Sequence, residues 1–259
     1  MLSLSSLIKS GSPWVLCGLC ISFLIGVHGV HAGAFIDTDG DGLSDTWEEQ
    51  VFHTDPLLAD TDHDRFPDRV EIMTGHNPKG SGFLADQDTD KDGLVDRLEL
   101  AFGTDIQFVD TDGDGKKDFE EIYAGFSPTS TAPTVLQKSL YVHLATQRLE
   151  QRVMNIPISE YPVSSGMPGK PTPVGTFKVL SKSPRAWSSA AKLWMPYWMH
   201  FSGRGHGIHE LPEWPNGHKE GESHLGKPVS HGCVRLGIGT AKKIYDWSPI
   251  GTPVIVAKR

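Results

Sequence analysis

The sequence predicts a mainly β protein with some α, built as an acidic loop–helix repeat region followed by a mostly antiparallel β-domain. Three observations carry that reading. Charge is divided: residues 33–134 hold 25 Asp/Glu against 7 Lys/Arg, whereas residues 135–259 hold 7 against 16. An acidic pattern recurs four times in the first part, at starts 23, 28 and 22 residues apart, which marks a repeat architecture. In the second part short alternating segments dominate, and Thr240 to Trp247 is the one convincing helix, after Gly239 and before Ser248-Pro249. The net charge of −8 over 259 residues therefore hides two regions with different tasks.

The N-terminus is a third region. Lys9 is its only charge, and the apolar run Trp14 to Val27 ends near Val30-His31-Ala32. Residues 1–32 read as a secretory signal peptide cleaved after Ala32. An uncleaved anchor is the alternative, though the run is short of the roughly 20 residues a spanning helix needs. Leu19 before Cys20 argues against a lipoprotein signal. Cleavage removes Cys17 and Cys20, leaves Cys233 as the single thiol, and rules out an intramolecular disulfide.

Each acidic repeat places acids at loop positions 1, 3, 5, 9 and 12, the spacing of an EF-hand-type Ca²⁺ loop. The first copy gives Asp37, Asp39, Asp41, Asp45 and Glu48; the second gives Asp60, Asp62, Asp64, Asp68 and Glu71. The third gives Asp88, Asp90, Asp92, Asp96 and Glu99; the fourth gives Asp110, Asp112, Asp114, Asp118 and Glu121. A hard dication takes six to eight oxygens, and alternate residues of a tight loop aim theirs at one centre. Gly42, Gly93 and Gly115 permit the sharp turn at position 6, where the second copy has Arg65. About two helical turns follow each loop, with apolar stripes expected at Trp47/Val51, Val70/Met73, Leu94/Leu98/Phe102 and Phe119/Ile122/Tyr123. Residues 33–126 are thus a repeat domain whose clustered carboxylates repel one another without metal. An acidic linker that binds nothing is the bland alternative, and it does not explain a register kept four times.

Residues 127–137, rich in Pro, Ser and Thr, read as a linker, and residues 138–259 as the second domain. Leu140, Val142 and Leu144 alternate with polar residues. Val153 to Ile158 is expected as their partner strand across a turn near Arg148–Gln151, with more strands around 161–165, 174–181 and 252–257. Residues 187–201 are rich in Trp and Met and fit either core packing or the lining of a groove.

The chemistry-bearing stretch is Ser230-His231-Gly232-Cys233-Val234-Arg235-Leu236, read with Gly207-Ile208-His209. A thiol is a nucleophile as thiolate, so a working Cys needs a base or positive surroundings. Gly232 lets the backbone come close to a substrate. His209 is one candidate base. His231 is another, because residues two apart on a strand share a face. A zinc-type site from His206, His209, His218 and His224 is a rival, but the spacing fits no common ligand motif.

These residues resemble the L,D-transpeptidase catalytic domain of bacterial cell-wall enzymes. The likeness extends through Tyr161-Pro162-Val163-Ser164-Ser165-Gly166 and Pro171-Thr172-Pro173-Val174-Gly175-Thr176-Phe177, and covers roughly residues 138 to 258. It implies a β-sandwich-like fold with a helix after the Cys. It also implies Cys233 as nucleophile and His209 as general base, oriented by the carbonyl of the next residue, here Glu210. His231 and Ser230 take supporting places, Gly232 and Cys233 supply oxyanion N–H groups, and Arg235 anchors the site or binds a substrate carboxylate. The stretch between His209 and Ser230 is longer than the family's usual gap, so Glu213 to Glu220 is expected as an inserted loop beside the site. The acidic repeats resemble thrombospondin type 3 repeats, which implies structural Ca²⁺ and a spacer role. The expected function is an exported peptidoglycan L,D-transpeptidase forming 3→3 cross-links, needing no cofactor for catalysis. The alternatives are an L,D-carboxypeptidase, a protein-anchoring transpeptidase, or a non-enzymatic Ca²⁺-dependent wall-binding protein. The expected partners are peptidoglycan stem peptides, with no nucleic acid, a membrane only through an uncleaved N-terminus, and a monomeric state.

Overall fold

The computed structural model describes residues 35–258; the expected signal peptide and its cleavage point lie outside them. The described residues pack as one unit. No helix among the described residues is long and apolar enough to cross a membrane.

The acidic repeats form four loop–helix turns. Helix α1 (Asp45–Trp47) runs on into a π turn (Glu48–Phe52), followed by α2 (Asp68–Thr74), α3 (Asp96–Phe102) and α4 (Asp118–Ala124). The last three stop where Gly75, Gly103 and Gly125 take left-handed conformations, the usual stop where the last carbonyls need partners. The stripe expected on α2 is misplaced. Val70 and Met73 are 45% and 38% exposed, while Ile72 between them is fully buried. In so short a helix the single inward residue is decided by what packs on it. Leu43, Phe52, Ile72, Leu100 and Ile106 form one small cluster. Leu94, Leu98 and Ile122 instead join the main core, which continues into the β half.

The β half is one nine-stranded sheet in the order β4-β9-β1-β2-β3-β8-β7-β6-β5. Its strands are β1 (Lys138–His143), β2 (Arg148–Val153), β3 (Ile156–Ser164), β4 (Gly175–Lys178), β5 (Ser181–Ser188), β6 (Leu193–His200), β7 (Gly207–Glu210), β8 (Val234–Leu236) and β9 (Pro253–Ala257). All pairings are antiparallel except β1 with β9 and β7 with β8. The two end strands of that order, β4 and β5, are joined by Val179 and Leu180 alone, so the sheet curls until its ends meet. This is the mostly β architecture expected, and α5 (Thr240–Trp247) falls where the sequence puts it.

One strand differs from expectation. Arg148–Gln151 is not a turn but the start of β2, and the chain reverses at Met154-Asn155, both at positive φ. The charges that make the segment look like a turn occupy one strand face. There Arg152 pairs with Glu150, which also meets His143, while Leu149, Gln151 and Val153 face inward. The expected linker is also tied back. Phe126 bridges Val135, the Ser127 N–H donates to the Thr134 carbonyl at 2.9 Å, and the Leu136 N–H donates to the Gly125 carbonyl at 2.8 Å.

Candidate active site and cation-binding loops

Register brings the chemistry together. In the parallel pair β7–β8, Ile208 lies opposite Val234 and His209 opposite Arg235; one step back, Cys233 lies opposite Gly207. Opposed residues share a face, so His209 and Arg235 stand on one side of the sheet, and the Arg235 charge bears on both His209 and Cys233. The Gly207 N–H favours the thiolate form of Cys233. From β6, His200 opposite Gly207 brings Trp198 onto the same face. A Cβ on Gly207 would sit 2.5 Å from the Trp198 ring, whose centroid is 5.7 Å from that of His209. Gly207 is required there because the indole occupies the space a side chain would take.

His209 is buried, and its Nδ1 lies 2.5 Å from the Glu210 carbonyl. A carbonyl only accepts, so Nδ1 carries the proton and Nε2 keeps its lone pair. Burial holds the His209 pKa down at about 4, with the Arg235 charge adding to the effect and the Glu210 carbonyl opposing it. Burial pushes the Cys233 thiol up, opposed by the Gly207 N–H and Arg235. At rest the imidazole and the thiol are therefore both neutral, and such a thiol acts as a nucleophile only as it gives up its proton. Alternation turns the Glu210 side chain to the other face. Its buried carboxylate accepts from Lys219 Nζ at 2.6 Å and from the Gly239 N–H at 3.0 Å, at the start of α5.

The loop before Cys233 corrects two expectations. Strand β8 begins only at Val234, and Ser230–Cys233 is a bend with Gly232 at φ +110, so strand alternation does not apply to His231, which is exposed. The Gly232 N–H donates to Ser230 Oγ at 3.1 Å, and that hydroxyl donates to the Cys233 carbonyl at 2.5 Å. Gly232 is thus engaged in shaping the bend, which leaves the Cys233 N–H as the remaining oxyanion candidate of the two. Ser230 is also tied to the Tyr161–Gly166 segment: its N–H donates to the Ser165 carbonyl at 2.9 Å, and its carbonyl accepts from the Met167 N–H at 2.9 Å. A Cβ on Gly166 would stand 2.3 Å from the Lys170 carbonyl, so that motif glycine is a close-approach residue.

The inserted loop is clasped rather than free. Arg185 pairs with Glu213 at 2.7 Å, Lys219 with Glu210 at 2.6 Å, and Arg235 Nη1 with both oxygens of Glu220 at 3.0 and 3.1 Å. Arg235 is thereby held by a residue of the insertion. Sequence reasoning missed Ser202, and it named Trp198 only within a stretch that could line a groove and His206 only as a ligand of the rival zinc site. His206 Nδ1 is 2.8 Å from Ser202 Oγ, and its ring packs where a Gly232 side chain would stand. Burial, with Arg204 and His200, holds its pKa down. The antiparallel register of β6 with β7 sets Trp198 beside His209, and no period in the sequence carries across the turn between those strands. His206, His209, His218 and His224 are not brought together: among the described residues only acidic triplets gather as a metal site would require.

Those triplets are Asp37/Asp39/Asp41, Asp60/Asp62/Asp64, Asp88/Asp90/Asp92 and Asp110/Asp112/Asp114, each with oxygens within 4.8 Å of one another. Position 12 adds Glu48, Glu71, Glu99 and Glu121, all buried and each with at least one oxygen lacking any hydrogen-bond donor. Burial first, and neighbouring carboxylates next, push Glu99 up to about 10 and Glu71 up to about 7; burial with Asp39 and Asp41 does the same for Glu48, to about 7, against a hydrogen bond from Thr54. Buried, donor-less carboxylates around a tight loop fit a divalent cation and little else. Position 9 is a correction. Asp45, Asp68, Asp96 and Asp118 each take the N–H and hydroxyl of Thr38, Thr61, Thr89 and Thr111 on their two oxygens, at 2.6–2.9 Å. They close the loop instead of facing its centre. The second loop keeps this geometry although Arg65 takes φ +84, in the region where its counterparts are glycines.

Residues 137–256 match the family model for the L,D-transpeptidase catalytic domain, and residues 37–59 and 88–105 match that for the bacterial TSP3 repeat. No curated protein matches the chain. Among solved structures, an L,D-transpeptidase from Stackebrandtia nassauensis is 31% identical, over 47% of this chain and 55% of that one, with a TM-score of 0.40. Another from Mycobacterium smegmatis is 24% identical, over 48% and 60%, with a TM-score of 0.42. A third, from Mycobacterium tuberculosis H37Rv, is 25% identical, over 48% and 59%, with a TM-score of 0.41. The chain thus spans about 60% of the length of these structures.

Proposed function

We propose that this chain, which carries an L,D-transpeptidase catalytic domain behind bacterial TSP3 repeats, is an exported acyltransferase acting on peptidoglycan stem peptides through Cys233. The carrying observation is the His209 imidazole, its Nδ1–H fixed on the Glu210 carbonyl and its Nε2 left basic, opposite Arg235 in the strand that begins just after Cys233.

Cys233 Sγ attacks the carbonyl of the amide between the meso-diaminopimelate centre and the terminal D-Ala of a tetrapeptide stem. The thiol proton passes to His209 Nε2. The oxyanion is met by the Cys233 N–H, on a bend held by Ser230 and Gly232. Collapse breaks the C–N bond, His209 returns the proton to the departing D-Ala amine, and a thioester remains. A side-chain amine of a neighbouring stem then gives its proton to His209 and attacks the thioester, forming a 3→3 amide and regenerating the thiol. Water as acceptor gives an L,D-carboxypeptidase, and a protein amine gives an anchoring enzyme. Arg235, held by Glu220, positions the site. The four acidic loops take Ca²⁺ through positions 1, 3, 5 and 12, where it neutralises the carboxylates and closes each loop; catalysis itself uses no cofactor.

The test is intact mass after incubation with a carbapenem, for the wild type and Cys233→Ala, with Ca²⁺ present. A stable adduct on the wild type alone is expected, and muropeptide products then identify the acceptor. A folded wild type that takes no adduct would point to the non-enzymatic wall-binding protein instead.

A further inference from the structure

We propose that the third and fourth repeats are part of the catalytic framework, so that a divalent cation in their loops fixes the orientation of His209 through Trp247, α5 and Glu210. The first and second repeats stand outside this path.

The repeats work in pairs. Asp41 Oδ2 accepts the Arg69 N–H at 3.1 Å, joining loop 1 to α2, and Asp92 Oδ2 accepts the Phe119 N–H at 2.8 Å, joining loop 3 to α4. The pairs pack differently. Leu43, Phe52 and Ile72 of the first pair cluster with Leu100 of α3, Ile106 and the partly buried Trp47, Val51 and Leu84, and with no residue of the β half. Leu94, Leu98 and Ile122 of the second pair sit in one core with Leu140, Val142, Ile208, Val234 and Ile244 of the β half. A shared core makes elements hold or loosen together.

A chain of directed contacts crosses that core. Trp247 Nε1–H donates to the Tyr123 carbonyl of α4 at 2.7 Å, the two rings lie 6.4 Å apart, and Lys138 Nζ stands 4.7 Å over the indole. Trp247 ends α5, whose buried side is Ala241, Ile244 and Trp247. At the other end of that helix the Gly239 N–H donates to Glu210 Oε2, and the Glu210 carbonyl takes the His209 Nδ1–H. A hydrogen-bonded helix of eight residues transmits a shift at one end to the other. Glu99 and Glu121 stand in the first turns of α3 and α4 with oxygens that have no donor. A cation there neutralises the repulsion among the loop carboxylates and pins both helices; its loss frees the Tyr123 end of the chain.

The test uses the full chain, Ca²⁺ against chelator, and two readouts that involve no turnover, so they stand apart from the fate of the transpeptidase reading. One is amide exchange in residues 207–211 and 239–247. The other is the His209 Nδ1–H proton resonance, assigned by its loss in His209→Gln. Ca²⁺ is expected to slow exchange in both segments by about fivefold or more, the lower end of ordinary coupling between sites, and to sharpen the His209 signal. Glu48→Gln should keep this response. Glu121→Gln should lose it, with the milder Asp112→Asn as a second variant if the first folds poorly. Trp247→Phe, which keeps a ring but drops the N–H, should still bind Ca²⁺ by calorimetry while the 207–211 segment stops responding. Exchange at 207–211 indifferent to Ca²⁺, equal losses in Glu48→Gln and Glu121→Gln, or a full response in Trp247→Phe would each overturn the proposal.

Discussion

The two halves bury charge in opposite ways. In the catalytic half, buried Glu210 is answered by Lys219 and the Gly239 N–H, and Arg235 by Glu220. In the repeat half, Glu48, Glu71, Glu99 and Glu121 are buried with oxygens that meet no donor. One half satisfies its charges from its own chain. The other is built around partners it does not contain. A buried charge costs several kcal/mol unless compensated, so the first half should be sensitive to losing a side chain, and the second to losing a cation.

The largest expected effect tests the self-sufficient half at its centre. His209→Gln should slow carbapenem acylation by about 10²–10⁴-fold, the ordinary contribution of a positioned base, with little change in melting temperature. The pH dependence sharpens this. With His209 held at about 4 by burial, the base is already neutral above that pH, so wild-type acylation should not fall as pH is lowered through the usual histidine range. Alkylation of Cys233 by iodoacetamide should rise only above the ordinary thiol range, since burial raises its pKa. Alkylation that titrates below neutrality would mean a resting thiolate–imidazolium pair instead.

Next is the clasp. Arg235→Met takes from the partly buried Glu220 one of its two partners and should cost about 1–3 kcal/mol in urea unfolding, while adding Glu220→Leu should recover much of it. Additive losses would show that the pair is not the unit. In the repeat half the sign should depend on the medium. Glu121→Gln removes a ligand in Ca²⁺ and a repelling charge in chelator, so it should destabilise in the first and stabilise in the second, by about 1–3 kcal/mol each way. The same sign in both media would sink the contrast. The smallest effect is Arg65→Gly, which relieves a left-handed non-glycine residue at φ +84 and should stabilise the second loop by about 1 kcal/mol.

Local chemistry was legible in advance. The acidic register, Gly42, Gly93 and Gly115 at the turns, and α5 all follow from spacing and residue type, whereas the choice of His209 over His231 rested on the resemblance alone. What misled were residues whose role depends on what packs against them. Arg148, Glu150 and Arg152 look like a turn but pair along one face of β2. Val70 and Met73 look inward-facing, yet Ile72 is the residue their neighbours cover. The Asp residues at position 9 have the composition of ligands, but the N–H and hydroxyl of the Thr one residue after each loop start take one oxygen each.

The sequence by itself determined the repeat, its acidic triplets and the mostly β character of the second half, because each rests on periodicity or on side-chain chemistry. Only the tertiary structure decided that Trp198 covers Gly207 and His209, that Glu220 holds Arg235, and that repeats 3 and 4 share a core with the catalytic half. Those facts depend on contacts between residues far apart in the chain. Such contacts are fixed by how surfaces fit, and no local pattern encodes them.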